Sequence, residues 1–75
     1  MKVKFMYNRV ERDLYAYFPE SIMSGIFGVM YECYGDGQHS LCDRNYIEDS
    51  READPERYNP LLKELKTIYN DIEVI

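Results

Sequence analysis

Lys2-Val3-Lys4-Phe5-Met6-Tyr7 and Leu14-Tyr15-Ala16-Tyr17-Phe18-Pro19 decide the fold of this chain. In the first run Val3, Phe5 and Tyr7 fall on one side and Lys2, Lys4 and Met6 on the other. That period of two marks a strand with one buried face. Asn8 to Asp13 supplies polar turn residues, and the second run alternates until Pro19, which cannot donate to a ladder. The two runs read as a hairpin. Working outward, Ser21 to Gly25 is a connection of small residues, and Ile26 to Tyr34 makes a third strand ended by Gly35-Asp36-Gly37. Phe27, Val29, Tyr31 and Cys33 share one side of it. An antiparallel meander of three strands is the simplest arrangement.

Helix signals follow. Ser40 or Asp43 is a suitable N-cap for a short helix through Tyr46 and Ile47. Asp54-Pro55-Glu56 is a stronger start, with a capping acid, proline at the first helical position and a carboxylate against the positive helix end. From there Tyr58, Leu61, Leu62, Leu65, Ile68 and Tyr69 recur at helical spacing, with Lys63, Glu64, Lys66 and Thr67 outside the stripe. Pro60 either kinks the first turn or follows Asn59 as the start of a shorter helix. Asn70-Asp71 ends the run, and Ile72 to Ile75 alternates as a short closing strand. The reading is a single α+β domain over residues 1–75: a three-stranded antiparallel meander, a short helix, a long amphipathic helix packed on one sheet face, and a short C-terminal strand. The predicted core is Val3, Phe5, Leu14, Ala16, Phe18, Phe27, Val29, Leu61, Leu62, Leu65, Ile68, Ile72 and Val74.

Composition narrows the class. Of 75 residues 45% are hydrophobic, with eight tyrosines and three phenylalanines, which excludes a disordered acidic tail. A chain of this length buries only roughly 60% of its unfolded surface, so stability is modest. The net charge of -5 repels a long phosphate backbone and disfavours nucleic acid as a partner. Neither a signal-peptide stretch nor a membrane-length apolar run is present, so a cytoplasmic protein without a membrane partner is expected. In that setting the two cysteines are expected as reduced thiols.

The residues with chemical potential crowd together, because His39 lies between Cys33 and Cys42. Thiolates and an imidazole suit zinc, with Asp36 or Asp43 as a fourth ligand, although the spacing departs from structural zinc patterns. A second reading makes Cys42 a nucleophile near a helix N-terminus with His39 as base, but no orienting group or oxyanion device accompanies them. Against both, Cys33 falls on the core side, where a cysteine acts as a small hydrophobe. Gly35-Asp36-Gly37 lacks the spacing of a phosphate loop. No enzyme and no cofactor are expected. What remains of the loop for recognition is Gln38 and His39.

Two surfaces compete with that loop. The stretch Glu48 to Glu56 reads as a solvated connector, with mimicry of nucleic acid towards a basic protein as the alternative. The outward sheet face would export Lys2, Lys4, Met6, Tyr15, Tyr17, Met30, Glu32 and Tyr34, an unusually aromatic surface of the kind found at contact sites. The competing explanation is that Ser21 to Gly25 or the short helix folds over it. Tyrosines with Lys2 and Lys4 also suit base stacking, which the overall charge opposes.

At Tyr17-Phe18-Pro19-Glu20, Gly37-Gln38-His39-Ser40, Cys42, Tyr58, Pro60-Leu61-Leu62 and Glu64-Leu65 the chain resembles a family of small proteins of bacteria and their mobile elements. The resemblance spans nearly the whole chain, implies a cytoplasmic accessory protein, and assigns no activity or ligand. The leading expectation is a noncatalytic protein-interaction module that forms a homodimer or docks another protein through Met6, Tyr15, Tyr17, Met30 and Tyr34. A metal or thiol site at Cys33, His39 and Cys42 and the acidic mimic are the alternatives.

Overall fold

The computed structural model describes residues 1–26 and 28–75 and is α+β. The strands are β1 (Lys2–Asn8), β2 (Asp13–Gly25), β3 (Gly28–Gly35), β4 (Gln38–Asp43), β5 (Arg51–Glu52) and β6 (Glu73–Val74). Two helices, α1 (Arg44–Glu48) and α2 (Pro55–Ile68), complete the chain. The sheet order is β4-β3-β2-β1-β5, antiparallel along that path, and β6 adds to β1 in parallel. The expected meander is therefore its centre.

The sheet has two covered faces. On the first, Val3, Phe5, Ala16, Phe18 and Tyr34 meet Leu61 and Leu65 of α2, with Leu14, Tyr58, Leu62, Tyr69 and Ile72 at the margin. The Phe5 and Tyr58 rings stack at 4.3 Å and anchor the first turns of α2. On the second face Met6, Tyr15 and Cys33 are buried beneath Tyr46 and Ile47 of α1, with Tyr17 and Cys42 alongside. Six predicted core residues, Val3, Phe5, Ala16, Phe18, Leu61 and Leu65, are buried, while Leu14, Val29, Leu62 and Ile72 are half-buried. Ile68 and Val74, placed in the core by spacing, are 46% and 39% exposed, because α2 ends at Ile68 and β6 lies at the sheet edge. The core reading of Phe27 lies outside the described residues.

Three boundaries differ from the sequence reading, and a fourth, left open between Ser40 and Asp43, is decided. β2 runs through Pro19 to Gly25, and its ladder with β3 shifts register between Phe18 and Ile22. Pro19 falls inside that irregularity, where its missing N–H leaves no ladder bond unmade. Gln38 to Asp43, expected as loop and helix start, forms β4, after a turn in which Asp36 and Gly37 have φ of 51° and 72°. Asp43 rather than Ser40 is the N-cap of α1, accepting from the Tyr46 amide at 2.8 Å. Finally, Arg51 and Glu52 of the supposed solvated connector pair with β1. Pro60 neither ends nor restarts α2, which is continuous from Pro55.

Candidate functional site

The register between β2 and β3 decides where the suspected residues sit. Ala16 pairs with Tyr34 and Tyr17 with Cys33, so Tyr34 points to the α2 face and Cys33 to the α1 face. This reverses the expected parity of the third strand. Pairing of β3 with β4 sets His39 opposite Tyr34 and Ser40 opposite Cys33, which sends His39 and Cys42 to opposite faces as well.

The proposed ligand set is thereby divided. Cys33 and Cys42 lie diagonally on β3 and β4 with Cα atoms 6.1 Å apart and are joined as a disulfide, correcting the expectation of free thiols. His39 stands on the other side of the sheet. Its Nε2 is hydrogen-bonded to the Tyr69 hydroxyl at 2.7 Å, and its ring meets Tyr34 edge-on at 4.9 Å. Among the described residues no group of three or more His, Cys, Asp or Glu side chains is arranged to hold a metal ion. A Cys42 nucleophile with a His39 base fails on the same geometry. His39 instead ties β4 to Tyr69, the C-cap of α2, a role the sequence could not show because it depends on strand parity.

Tyr34 sits beside this tie. Hydrogen bonding toward the Glu64 carboxylate, then burial, raises its hydroxyl above the ordinary tyrosine range. Gln38 is exposed at the start of β4, opposite Gly35.

The tyrosine-rich face is also corrected. Met6, Tyr15 and Tyr34 are 6%, 2% and 4% exposed, so three of the five expected contact residues are inside the molecule. The short helix folds over Met6 and Tyr15, as the competing explanation held, and polar bonds fix it there, while Tyr34 is buried on the opposite face against α2. The Tyr15 hydroxyl donates to Ser50 Oγ at 2.7 Å, Ser50 Oγ donates to the Tyr46 carbonyl at 2.8 Å, and the Tyr46 hydroxyl donates to Asp13 at 2.8 Å. Buried Asn8 turns its amide nitrogen to Ser50 Oγ and accepts from the Glu11 amide at 3.0 Å. Burial raises the Tyr46 hydroxyl strongly, with the Asp13 carboxylate adding to it, and burial likewise raises Tyr15.

What remains open is the other end of the sheet. Tyr17, Tyr31 and Met30 are half-buried, the first two in edge-on contact at 5.5 Å. Next to them Ile22, Met23 and Leu41 are 54%, 47% and 48% exposed. Pairings of Met23 with Met30 and Ile22 with Tyr31 place them on the β2–β3 arm, and Leu41 lies on the adjoining β4. The sequence reading assigned residues 21–25 to a connection and 38–43 mostly to a loop, and so missed Ile22, Met23 and Leu41. A signal existed in the bulky residues of Ile22-Met23 after Pro19. Two carboxylates of the acidic stretch are engaged by cations: Glu52 meets Lys4 at 2.7 Å and Glu48 meets Arg44 at 3.8 Å.

Among the described residues no helix is long and apolar enough to cross a membrane. Comparison with protein-family models, with curated proteins and with solved structures gives no match to this chain.

Proposed function

We propose that the chain is a noncatalytic protein-interaction module that associates with a second copy of itself through the β4 edge and the apolar β2–β3 arm. The carrying observation is the asymmetry of the sheet. The outer edge of β1 is covered by β5 and β6, whereas among the described residues the outer edge of β4 pairs with no strand. An open strand edge offers unpaired amides and carbonyls to another chain, and sheets that stay alone usually guard it with lysine or proline. β4 reads Gln-His-Ser-Leu-Cys-Asp and has neither. Antiparallel pairing of two β4 strands would bring Leu41 of each copy beside the other and extend the apolar surface of Met23 and Met30 across the junction. Met30 thus keeps the role first expected of it, while Tyr17, opposite Cys33, lies on the α1 face and Met6, Tyr15 and Tyr34 serve the core.

Light scattering on the purified chain tests this reading. The expected mass is that of a dimer for the native chain and of a monomer for Leu41→Lys, whose side chain is exposed and whose charge guards the edge. A native chain that stays monomeric at the highest soluble concentration defeats the proposal.

A further inference from the structure

Tyr7 of β1, Arg9 in the following turn, Arg51 of β5 and Arg57 in the first turns of α2 surround a cleft of about 420 Å³, completed by Glu52, Ala53 and Asp54. The Arg57 guanidinium lies over the Tyr7 ring, 4.1 Å from its centre, a cation–π contact that holds it at the cleft. Arg51 is the register partner of Tyr7 on the adjacent strand. Among the described residues none of the three arginines is in an ion pair. The Glu52 carboxylate is engaged by Lys4 at 2.7 Å, and Asp54, the N-cap of α2, makes no side-chain capping bond.

Three arginines from three separate parts of the chain therefore line one concavity in a chain whose net charge is -5. Like charges gathered at one cleft favour an anion there, and among the described residues neither Glu52 nor Asp54 forms an ion pair with these arginines. We propose that this cleft binds a small molecule through a single phosphate monoester group. The guanidinium fork matches phosphate oxygens in bidentate fashion, and three forks offer more donors than the two oxygens of a carboxylate can accept. The volume lies within the range of small-molecule sites. The acidic surface elsewhere opposes a polyanion, which separates one phosphate group from a nucleic acid. Arg57, held against Tyr7, is the pre-oriented donor; Arg9 and Arg51 close on the remaining oxygens.

The test is a titration of the intact chain with inorganic phosphate as dianion, at constant ionic strength set with chloride, followed through the amide resonances of residues 51–57. Saturable shifts are expected with phosphate and none with chloride alone. Arg57→Gln and Arg51→Gln should each weaken binding about tenfold, the loss of one charge-assisted fork. Arg44→Gln, on α1, should bind as the native chain does. Arg9 lies in an exposed turn, so Arg9→Gln keeps the fold and should also weaken binding. Shifts that never saturate, that chloride reproduces, or that survive Arg9→Gln and Arg57→Gln unchanged overturn the proposal.

Discussion

The Tyr15 hydroxyl donates to Ser50 Oγ at 2.7 Å, binding the start of β2 to the residue just past the C-cap of α1. One serine hydroxyl thus serves a buried tyrosine and, at 3.4 Å, a buried asparagine, while donating to the Tyr46 carbonyl. Replacing Ser50 by alanine leaves the Tyr15 hydroxyl without its acceptor inside the second core. The expected cost is about 1 to 3 kcal/mol, the penalty of an unsatisfied buried group. Tyr15→Phe removes that group and should rescue part of the loss in the double variant, measured by urea denaturation. An additive double variant would show that the bond contributes nothing.

The disulfide gives a second expectation. Cys33 and Cys42 close a loop of sequence separation 9, so reduction or Cys42→Ser should lower stability by about 2 kcal/mol through the unfolded chain. Thiol labelling of the unfolded, unreduced chain should find no reactive cysteine. Two labelled thiols in a fully oxidised preparation would contradict the bond.

Alkaline pH should weaken the fold. The Tyr46, Tyr15 and Tyr34 hydroxyls are all raised in the folded chain, so the unfolded chain loses their protons first. The stability these three hydroxyls contribute is constant below the ordinary tyrosine value of ~10 and is lost as pH climbs above it. Tyr46→Phe should be less stable at neutral pH, having lost its bond to Asp13, yet decline less steeply in alkali. Unfolding midpoints across the alkaline range check this, and an unchanged slope in Tyr46→Phe would locate the effect elsewhere.

The placement of α2 can be tested by two substitutions of similar chemistry. Leu65 is fully buried against the sheet, whereas Ile68 is largely exposed. Leu65→Ala should cost about 2 to 5 kcal/mol, much of the stability of so small a domain. Ile68→Ala should stay within about 0.5 kcal/mol. Equal losses at the two positions would mean that the helix is rotated from the arrangement described.

Val3, Phe5, Ala16, Phe18, Leu61 and Leu65 were legible from periodicity alone, because each lies in a run long enough to reveal its period. Strand parity was not. Whether Cys33 or Tyr34 faces α2 depends on the register with Ala16, and a β2 strand that shifts register between Phe18 and Ile22 erases the count across Pro19. That ambiguity exported Tyr34 to a surface, whereas His39 was grouped with the cysteines because the stretch between them read as a loop and not as β4. Tyr15 and Met6 were misplaced for a different reason. Their alternation was read correctly, but only Ser50, Tyr46 and Asp13 acting together show that α1 covers them. The arginine cleft was invisible because Arg9, Arg51 and Arg57 meet only once β5 pairs with β1.

The parallel pairing of β6 with β1 has a topological consequence. Glu73 N–H donates to the Met1 carbonyl at 2.8 Å and Ile75 N–H to the Val3 carbonyl at 3.0 Å, so the first and last residues of the segment run side by side. The order of elements is in effect circular. A permuted chain opened at the exposed turn of Gly37, with a short flexible linker from Ile75 to Met1, would keep every strand neighbour while making β4 the first element rather than an internal one.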